Sequence, residues 1–451
     1  MGRGTGRDVD ARLFDRRDVR EALSDHDFGT VFRVVREEAS LTQEQLGLMV
    51  GLSQARVSAV ERGHHRIRDV AVVVRIAEAL GIPAPLLGFP GAAAGAAAPF
   101  GRLSRRDLVN ASIGLVLAAP SAAGPVEPLE RFATRARRGE ARLGSADVAA
   151  VESITAEWRG RDFRSGGTVV HRLAMRAQVE TLHGLLGARC SPEVRAGFEL
   201  AFADLVMVAA WAEYDAGEYD SARGLWMSTL SHARRSAHPA RTDLVVRALI
   251  QMSHHALHLG RPGDALRFLS LAQTAAATGR PVSALTESYL ASNLGWCHAA
   301  MGNGKSALRA LDEGDSLLDT GGGLPAPPWS HHVTGSERAG MRGLALTVLS
   351  REDPRHAAPA ARLLARAAAG FGPEYDRTRL MVLPVLAIAL LRSGEVDSAV
   401  ATGRQALDVA RRIPSVRVRP RLRALLASAD QTGNSDLAHL KDDIRAWWTT
   451  G

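Results

Sequence analysis

Several residue types that define whole classes of protein are scarce in this chain. Its 451 residues include two cysteines, Cys190 and Cys297, which are too few for a disulfide framework, so we expect a reducing cytoplasm and thiols packed in a core. Aromatic residues make up 5% of the chain, whereas hydrophobic residues as a whole make up 46%. This composition favours a helical protein with room for about two to four domains.

Signals for export and membrane insertion are weak as well. Residues 1–27 alternate Arg and Asp without the apolar core of a secretory signal. Residues 104–120 contain paired arginines and an apolar stretch, but that stretch is shorter than the ~20 residues that a spanning helix needs. We therefore expect no membrane partner and interpret residues 104–120 as a linker helix or packing segment.

Motifs that carry catalysis are also missing. The sequence has no phosphate loop, no dinucleotide-binding glycine fingerprint and no nucleophile elbow. His254 and His258 have the spacing of two metal ligands on a helix, but no third ligand follows at a diagnostic distance, and His331 and His332 are interpreted as surface residues of a loop. We expect no enzymatic activity, no metal and no cofactor.

The net charge of +8 suggests an anionic partner, but the charge is unevenly distributed. Residues 1–100 contain 13 arginines and 13 acids, so basic character near the amino end is confined to residues 56–68. The arginines at residues 411–423 are interpreted as a solvated surface, and an acidic or nucleic-acid partner for them is the alternative.

Residues 41–63 carry the most informative pattern of the chain. Thr42 and Gln45 form a capping box that begins one helix, and Ser53 caps a second helix. Gly51 supplies the positive φ that a tight turn between them needs. Helical periodicity turns four apolar residues inward and five residues outward. The inward set is Leu46, Val50, Val57 and Val60, and the outward set is Gln54, Ala55, Arg56, Ser58 and Ala59.

The pattern TQxxLxxxxGLSxxxVSxxERG over residues 42–63 resembles the Cro/phage-repressor (xenobiotic-response-element type) helix-turn-helix family. The resemblance extends from about Phe28 to Leu87 and implies a second helix that contacts base edges in double-stranded DNA, with Gln54 suited to adenine and Arg56 to guanine. It also implies that Glu61 turns away from the phosphates to pair with Arg36. The predicted DNA-contacting residues are Gln43, Ser53, Gln54, Ala55, Arg56, Ser58, Ala59, Arg62 and Arg66.

A second pattern, a glycine followed five residues later by an alanine, repeats in the remaining sequence. It begins at Gly217, Gly260, Gly302 and Gly394, with room for one degenerate copy around residues 341–366. Each glycine follows one amphipathic helix and each alanine opens another, so the unit is an antiparallel helix pair. This arrangement resembles the tetratricopeptide repeat, although the spacing exceeds the usual ~34 residues.

Stacked helix pairs form a superhelix whose inner wall consists of the first helix of each pair. Offsets of 13, 10 and 6 residues before each turn glycine place side chains on that wall, and offset 9 adds Gln251 and Asn293 in neighbouring units. These side chains are charged, aromatic or amide groups suited to a peptide or a small polar ligand, and ordinary core packing is the alternative for each of them. The predicted ligand-binding residues are Asp204, Trp211, Arg247, Gln251, His254, Tyr289, Asn293 and Trp296, and the same offsets also give Met381 and Ile388.

The expected fold is therefore all-α, with a five-helix repressor-like DNA-binding domain followed by a right-handed α-solenoid of helix pairs. The expected boundaries are a flexible arm at residues 1–27, the DNA-binding domain at 28–90, a linker at 91–128 and the repeat domain at 129–451.

This architecture resembles the cytoplasmic peptide-pheromone receptors of Gram-positive bacteria and related actinobacterial regulators. The resemblance implies a homodimer that binds a two-fold operator and responds to a peptide or small-molecule effector. A scaffold that holds a partner protein in its repeats, and is localised by its DNA-binding domain, is the alternative.

Overall fold

The computed structural model describes residues 11–24, 27–65, 67, 76–77, 79–80, 82, 142–166, 169–319, 324–413, 415–429 and 435–450. These residues form helices and no strand, apart from an isolated bridge between Arg142 and Arg189. The predicted all-α class is confirmed. The chain divides into an amino-terminal unit, residues 1–133 with 169–181, and a helical-pair unit, residues 134–168 with 182–451. Residues 91–128, predicted as a linker, lie outside the described part.

The described helices of the amino-terminal unit are short. A 3₁₀ turn at Ala11–Asp15 precedes α1 (Arg17–Ser24), α2 (Phe28–Glu38), α3 (Gln43–Val50) and α4 (Gln54–Glu61). The buried apolar core of this unit contains Phe14, Val19, Leu23, Phe28, Val31, Phe32, Val35, Leu46, Val50, Val57, Val60, Ile67, Ile76 and Leu80.

Part of the predicted flexible arm is folded in the structure. Leu13, Phe14, Val19 and Leu23 bury their side chains in the same core as α2. Their apolar spacing is interrupted by Asp and Arg residues, which is why the segment resembles a charged arm in the sequence. Burial of large apolar side chains contributes roughly 1.5–3 kcal/mol each, which is enough to order so short a segment.

The helical-pair unit begins with α5 (Ser145–Ser165), and α6 (Val169–His183) follows it in the chain but groups mainly with the amino-terminal unit. Five antiparallel pairs and a terminal pair then succeed one another. They are α7 (Pro192–Ala216) with α8 (Tyr219–Arg235), α9 (Arg241–His258) with α10 (Pro262–Thr278), α11 (Ala284–Ala300) with α12 (Gly304–Asp319), α13 (Gly335–Leu349) with α14 (Ala357–Gly370), α15 (Asp376–Arg392) with α16 (Val396–Ala410), and α17 (Val418–Ala429) with α18 (Ser435–Thr450).

The turns between paired helices follow the predicted chemistry. Gly217, Gly260, Gly302 and Gly394 all have φ between 70° and 90°, a region that side chains with a Cβ rarely adopt. The alanines five residues later are buried completely against the partner helix. The degenerate copy corresponds to α13 and α14, which are joined without a positive-φ glycine.

The first helices of the pairs surround a space instead of lining an open groove. Helix α5 packs on α7 and also on α15. Between these two ends, α7 contacts α9, α9 contacts α11, α11 contacts α13 and α13 contacts α15. These contacts close a ring of helices within the unit. Among the described residues, no helix is both long enough and apolar enough to cross a membrane.

Candidate functional sites

The turn between α3 and α4 is built by local hydrogen bonds. Thr42 accepts from the Gln45 backbone N–H, and the Gln45 side chain accepts from the Thr42 backbone N–H at 2.9 Å. Gly51 ends α3 with φ of 69°, and the Ser53 hydroxyl accepts from the Arg56 backbone N–H. The predicted capping box, glycine turn and second cap are all confirmed. They fix where α4 begins and therefore which side chains occupy its first turn.

The first turn of α4 presents its side chains to solvent. Gln54, Ala55 and Arg56 are exposed and Ala59 is half-buried. Ser53 and Arg62 are exposed as well, whereas Arg66 lies outside the described residues. The predicted contacts of this face with DNA stay a prediction.

The predicted outward orientation of Ser58 is wrong. Its side chain is buried, and its hydroxyl accepts a hydrogen bond from Arg62 Nη1. Ser58 precedes Glu61 by three residues, so both residues lie on the same side of α4, and that side faces the interior of the unit.

A partly buried ion pair, in which Glu61 is buried and Arg36 is half-buried, lies beneath the exposed face. Arg36 Nε donates to Glu61 Oε1 at 2.9 Å, which confirms the predicted partner, and this hydrogen bond to Glu61 raises the Arg36 pKa. Gln43 Nε2 donates to Glu61 Oε2 at 2.7 Å, and Gln54 Nε2 donates to Gln43 Oε1 at 3.0 Å. The chain of bonds therefore orients the Gln54 amide and leaves its oxygen and one N–H hydrogen available.

The ring of helices in the helical-pair unit encloses a cavity with a volume of about 120 Å³. Seven of the side chains predicted on the inner wall line this cavity. Except for Leu364 of α14, every lining residue that belongs to a helix pair lies on the first helix of its pair. The predicted residues that line the cavity are Trp211, Arg247, Gln251, His254, Tyr289, Trp296 and Met381.

Two predicted wall residues support this lining without belonging to it. Asp204 pairs with Arg159 of α5 at 2.6 Å, and Arg159 lines the cavity. Asn293 is buried completely and hydrogen-bonds the His254 ring through its side-chain oxygen. Both residues therefore position cavity-lining groups.

His332 is not the surface residue that the sequence suggested. It is buried, lines the cavity and forms a 2.8 Å hydrogen bond with Arg247 Nη2. The Arg247 guanidinium also lies 4.6 Å from the centre of the Tyr289 ring. The glycine- and proline-rich loop before α13 thus contributes to the cavity, because its path returns inward at Trp329 and His332.

A buried charge network closes the ring. Arg377 of α15 pairs with Asp162 of α5 and with Asp215 of α7, the latter at 3.4 Å. Arg417 pairs with Asp215 at 3.4 Å and lies 4.6 Å from the Trp211 ring centre. The interpretation of residues 411–423 as a solvated surface is therefore wrong for Arg417, which is buried.

Four of the lining residues keep a buried polar atom without a hydrogen-bond partner among the described residues. These atoms are Asp162 Oδ1, Arg247 Nε, His332 Nδ1 and Arg417 Nε. An unpaired buried polar group costs roughly 1–3 kcal/mol. Their concentration around one cavity indicates a space suited to polar contents. Asp162 and Arg377 had no sequence signal because they do not occupy the repeated offsets, and Arg417 was visible only as a member of the arginine cluster at residues 411–423.

The buried histidines are neutral at physiological pH. Burial lowers the pKa of His254 to about 3 and that of His258 to about 4. His258 hydrogen-bonds the Tyr219 hydroxyl at 3.1 Å while His254 bonds Asn293, so the two rings have different partners. Within the described ranges, no group of three or more His, Cys, Asp or Glu side chains is placed to hold a metal ion.

Comparisons with known proteins agree with the geometry of the amino-terminal unit. The helix-turn-helix family model matches residues 32–87. The HTH-type transcriptional repressor RghR of Bacillus subtilis (strain 168) is 41% identical over 56 residues, which cover 12% of this chain and 42% of that repressor. The chain thus covers less than half the length of this relative. Together, the match and the relative support a helix-turn-helix domain at residues 32–87.

Proposed function

We propose that the protein is a sequence-specific transcriptional regulator. In this proposal, α4 enters the DNA major groove and the cavity of the helical-pair unit binds a peptide or small-molecule effector. The observation that carries the DNA-binding role is the exposed first turn of α4, where Gln54 and Arg56 lie above the partly buried Arg36–Glu61 ion pair. Gln54 retains one donor and one acceptor, the combination that adenine requires, and Arg56 suits guanine.

The DNA-binding role is tested by selecting bound sequences from a pool of random duplexes at a fixed salt concentration. A single preferred site is expected, with two half-sites one helical turn, ~34 Å, apart if the protein is a homodimer. Sedimentation equilibrium gives the oligomeric state independently. Recovery of duplexes without any preferred sequence would contradict the proposal.

The effector-binding role rests on the cavity inside the ring of helices and on its unpaired polar atoms. Closure of the ring by α5 favours a small molecule or short peptide over the long segment of a partner protein that a scaffold would hold. All seven tryptophans, at residues 158, 211, 226, 296, 329, 447 and 448, belong to the helical-pair unit. Tryptophan fluorescence therefore reports binding in this unit alone. Pools of short peptides and a culture extract should change both the fluorescence and the affinity for the selected DNA.

A further inference from the structure

A second cavity adjoins the first within the helical-pair unit. Its volume is about 260 Å³, and it shares six lining residues with the first cavity, including His254 and Trp296. Its outer part is bordered by α13, α15 and α17. The two cavities are therefore adjoining chambers. Aromatic side chains are frequent in the lining of the first chamber, and arginine side chains are frequent in the lining of the second.

The lining of the second chamber is cationic. Arg351, Arg392, Arg417 and Arg421 contribute to it, and none of its lining residues is acidic. Arg417 is balanced by Asp215. The other three arginines have no carboxylate oxygen within 4.0 Å among the described residues. Arg351 is exposed, so Arg392 and Arg421, which are both half-buried, are the two positive charges inside the chamber without a paired negative charge.

These arginines are held in place without being neutralised. Arg421 Nη1 donates to the Arg417 backbone oxygen at 3.1 Å, and Arg392 Nη1 donates to the Thr347 backbone oxygen and to Ser350 Oγ at 3.0 Å. Burial, reinforced by Arg417, lowers the pKa of Arg421 to about 10. Burial of unpaired guanidinium groups is unfavourable unless an anion compensates them.

We infer that the effector of this protein is a small organic anion, and that its carboxylate or phosphate group binds Arg421 and Arg392 in the second chamber while its body packs against Trp296, which lines both chambers. The inference rests on the proposed effector-binding role. Guanidinium groups bind both kinds of oxyanion through paired N–H donors. An engineered cavity of ~150 Å³ accommodates benzene, so the second chamber, at about 260 Å³, has room for one ring beside the anionic group.

The test uses the full-length protein and two probe pairs, each of which combines an anion with a neutral compound that has the same aromatic ring. Phenylacetate is compared with neutral phenylacetamide and phenyl phosphate is compared with phenol, with inorganic phosphate as the oxyanion alone. Binding is followed by tryptophan fluorescence and calorimetry in wild type, Arg421→Met and Arg423→Met. Arg423 is the control because it lies exposed on the same helix, 5.1 Å from the Trp448 ring.

Each anion should bind about tenfold or more tightly than its neutral partner, because a charged hydrogen bond contributes ~1.5–3 kcal/mol. Arg421→Met should remove this preference and Arg423→Met should retain it. The probe pair with the larger preference for its anion shows whether the second chamber binds a carboxylate or a phosphate group. Equal binding of acids and neutral partners, no binding of any anion, or an unchanged preference in Arg421→Met would overturn the inference. A DNA affinity that still responds to neutral peptides would then leave the effector-binding proposal intact.

Discussion

The arginines of the two candidate sites differ in their exposure. In the amino-terminal unit, Arg56 and Arg62 are exposed on α4 and directly after it, and a partly buried ion pair lies beneath this face. In the helical-pair unit, Arg247, Arg377 and Arg417 are buried around a cavity. An exposed arginine can contact a polyanion that is too large for a cavity, whereas a buried one suits a small ligand that loses its water shell on binding. Under the proposed function, arginine contacts DNA in one unit and the effector in the other.

Among the buried groups of the helical-pair unit, Asp215 should have the largest effect on stability. It pairs with Arg377 and Arg417 and is itself buried completely. Asp215→Asn removes a buried charge partner and should lower the free energy of unfolding of the helical-pair unit by about 3–5 kcal/mol. Urea titration followed by tryptophan fluorescence measures this unit by itself. Asp220→Asn is the control, because Asp220 pairs with Arg223 on the surface, and it should cost less than ~1 kcal/mol. Similar losses in both variants would show that the network does not stabilise the ring.

The corresponding test in the amino-terminal unit concerns the Arg36–Glu61 ion pair beneath α4. Glu61→Ala should destabilise α2–α4 by about 2–3 kcal/mol, because Arg36 and Gln43 lose their buried acceptor. Hydrogen exchange of peptides from residues 28–61 measures the effect, since this unit has no tryptophan. A double-mutant cycle with Arg36→Ala should reveal coupling of the two residues. Additive losses would contradict a direct interaction.

The buried histidine gives the helical-pair unit a pH dependence. His254 has a folded pKa of about 3, below the ~6.5 of an unfolded histidine. The unfolded chain therefore takes up the proton first as the pH falls. The contribution of neutral His254 to the free energy of unfolding is complete above pH ~6.5 and is lost progressively below it. Between pH 7.5 and pH 5, wild type should lose about 2 kcal/mol more than His254→Gln, as measured by urea titration at each pH. An identical loss in both proteins would show that His254 titrates normally.

The smallest expected effect concerns the turn before α4. Gly51→Ala introduces a Cβ at φ of 69° and should destabilise the amino-terminal unit by about 1 kcal/mol. DNA affinity should fall with it, because the turn sets the position of α4. Gly63→Ala also changes a positive-φ glycine but lies beyond α4. Equal stability losses with unequal DNA affinities would separate the turn's role in recognition from its role in folding.

Features that depend on neighbours in sequence were predictable. The Thr42 capping box, the Gly51 turn and the repeated turn glycines require residues within a few positions of one another, so their chemistry is visible in the chain. The inner wall of the repeats was also predictable, since helical periodicity places Trp211, His254 and Trp296 together.

Features that depend on ring closure were not predictable. Arg377 and Asp162 meet across 215 residues, and only the packing of α15 on α5 brings them together. The same closure buries Arg417 and draws His332 inward, although both belong to segments that resemble surface loops. Ser58 was misplaced for a smaller reason, because helical periodicity alone does not resolve the border between the inner and outer faces of α4.

Base recognition by α4 is tested by combining a protein change with a DNA change. Affinities of wild type and Arg56→Ala are measured for the selected site and for its single-base variants, with the exposed Arg17→Ala as the charge-matched control. We expect a loss of about 1–3 kcal/mol at one base position that disappears in Arg56→Ala and persists in Arg17→Ala. Equal weakening of Arg56→Ala on the selected site, on every variant and on random duplex would contradict it.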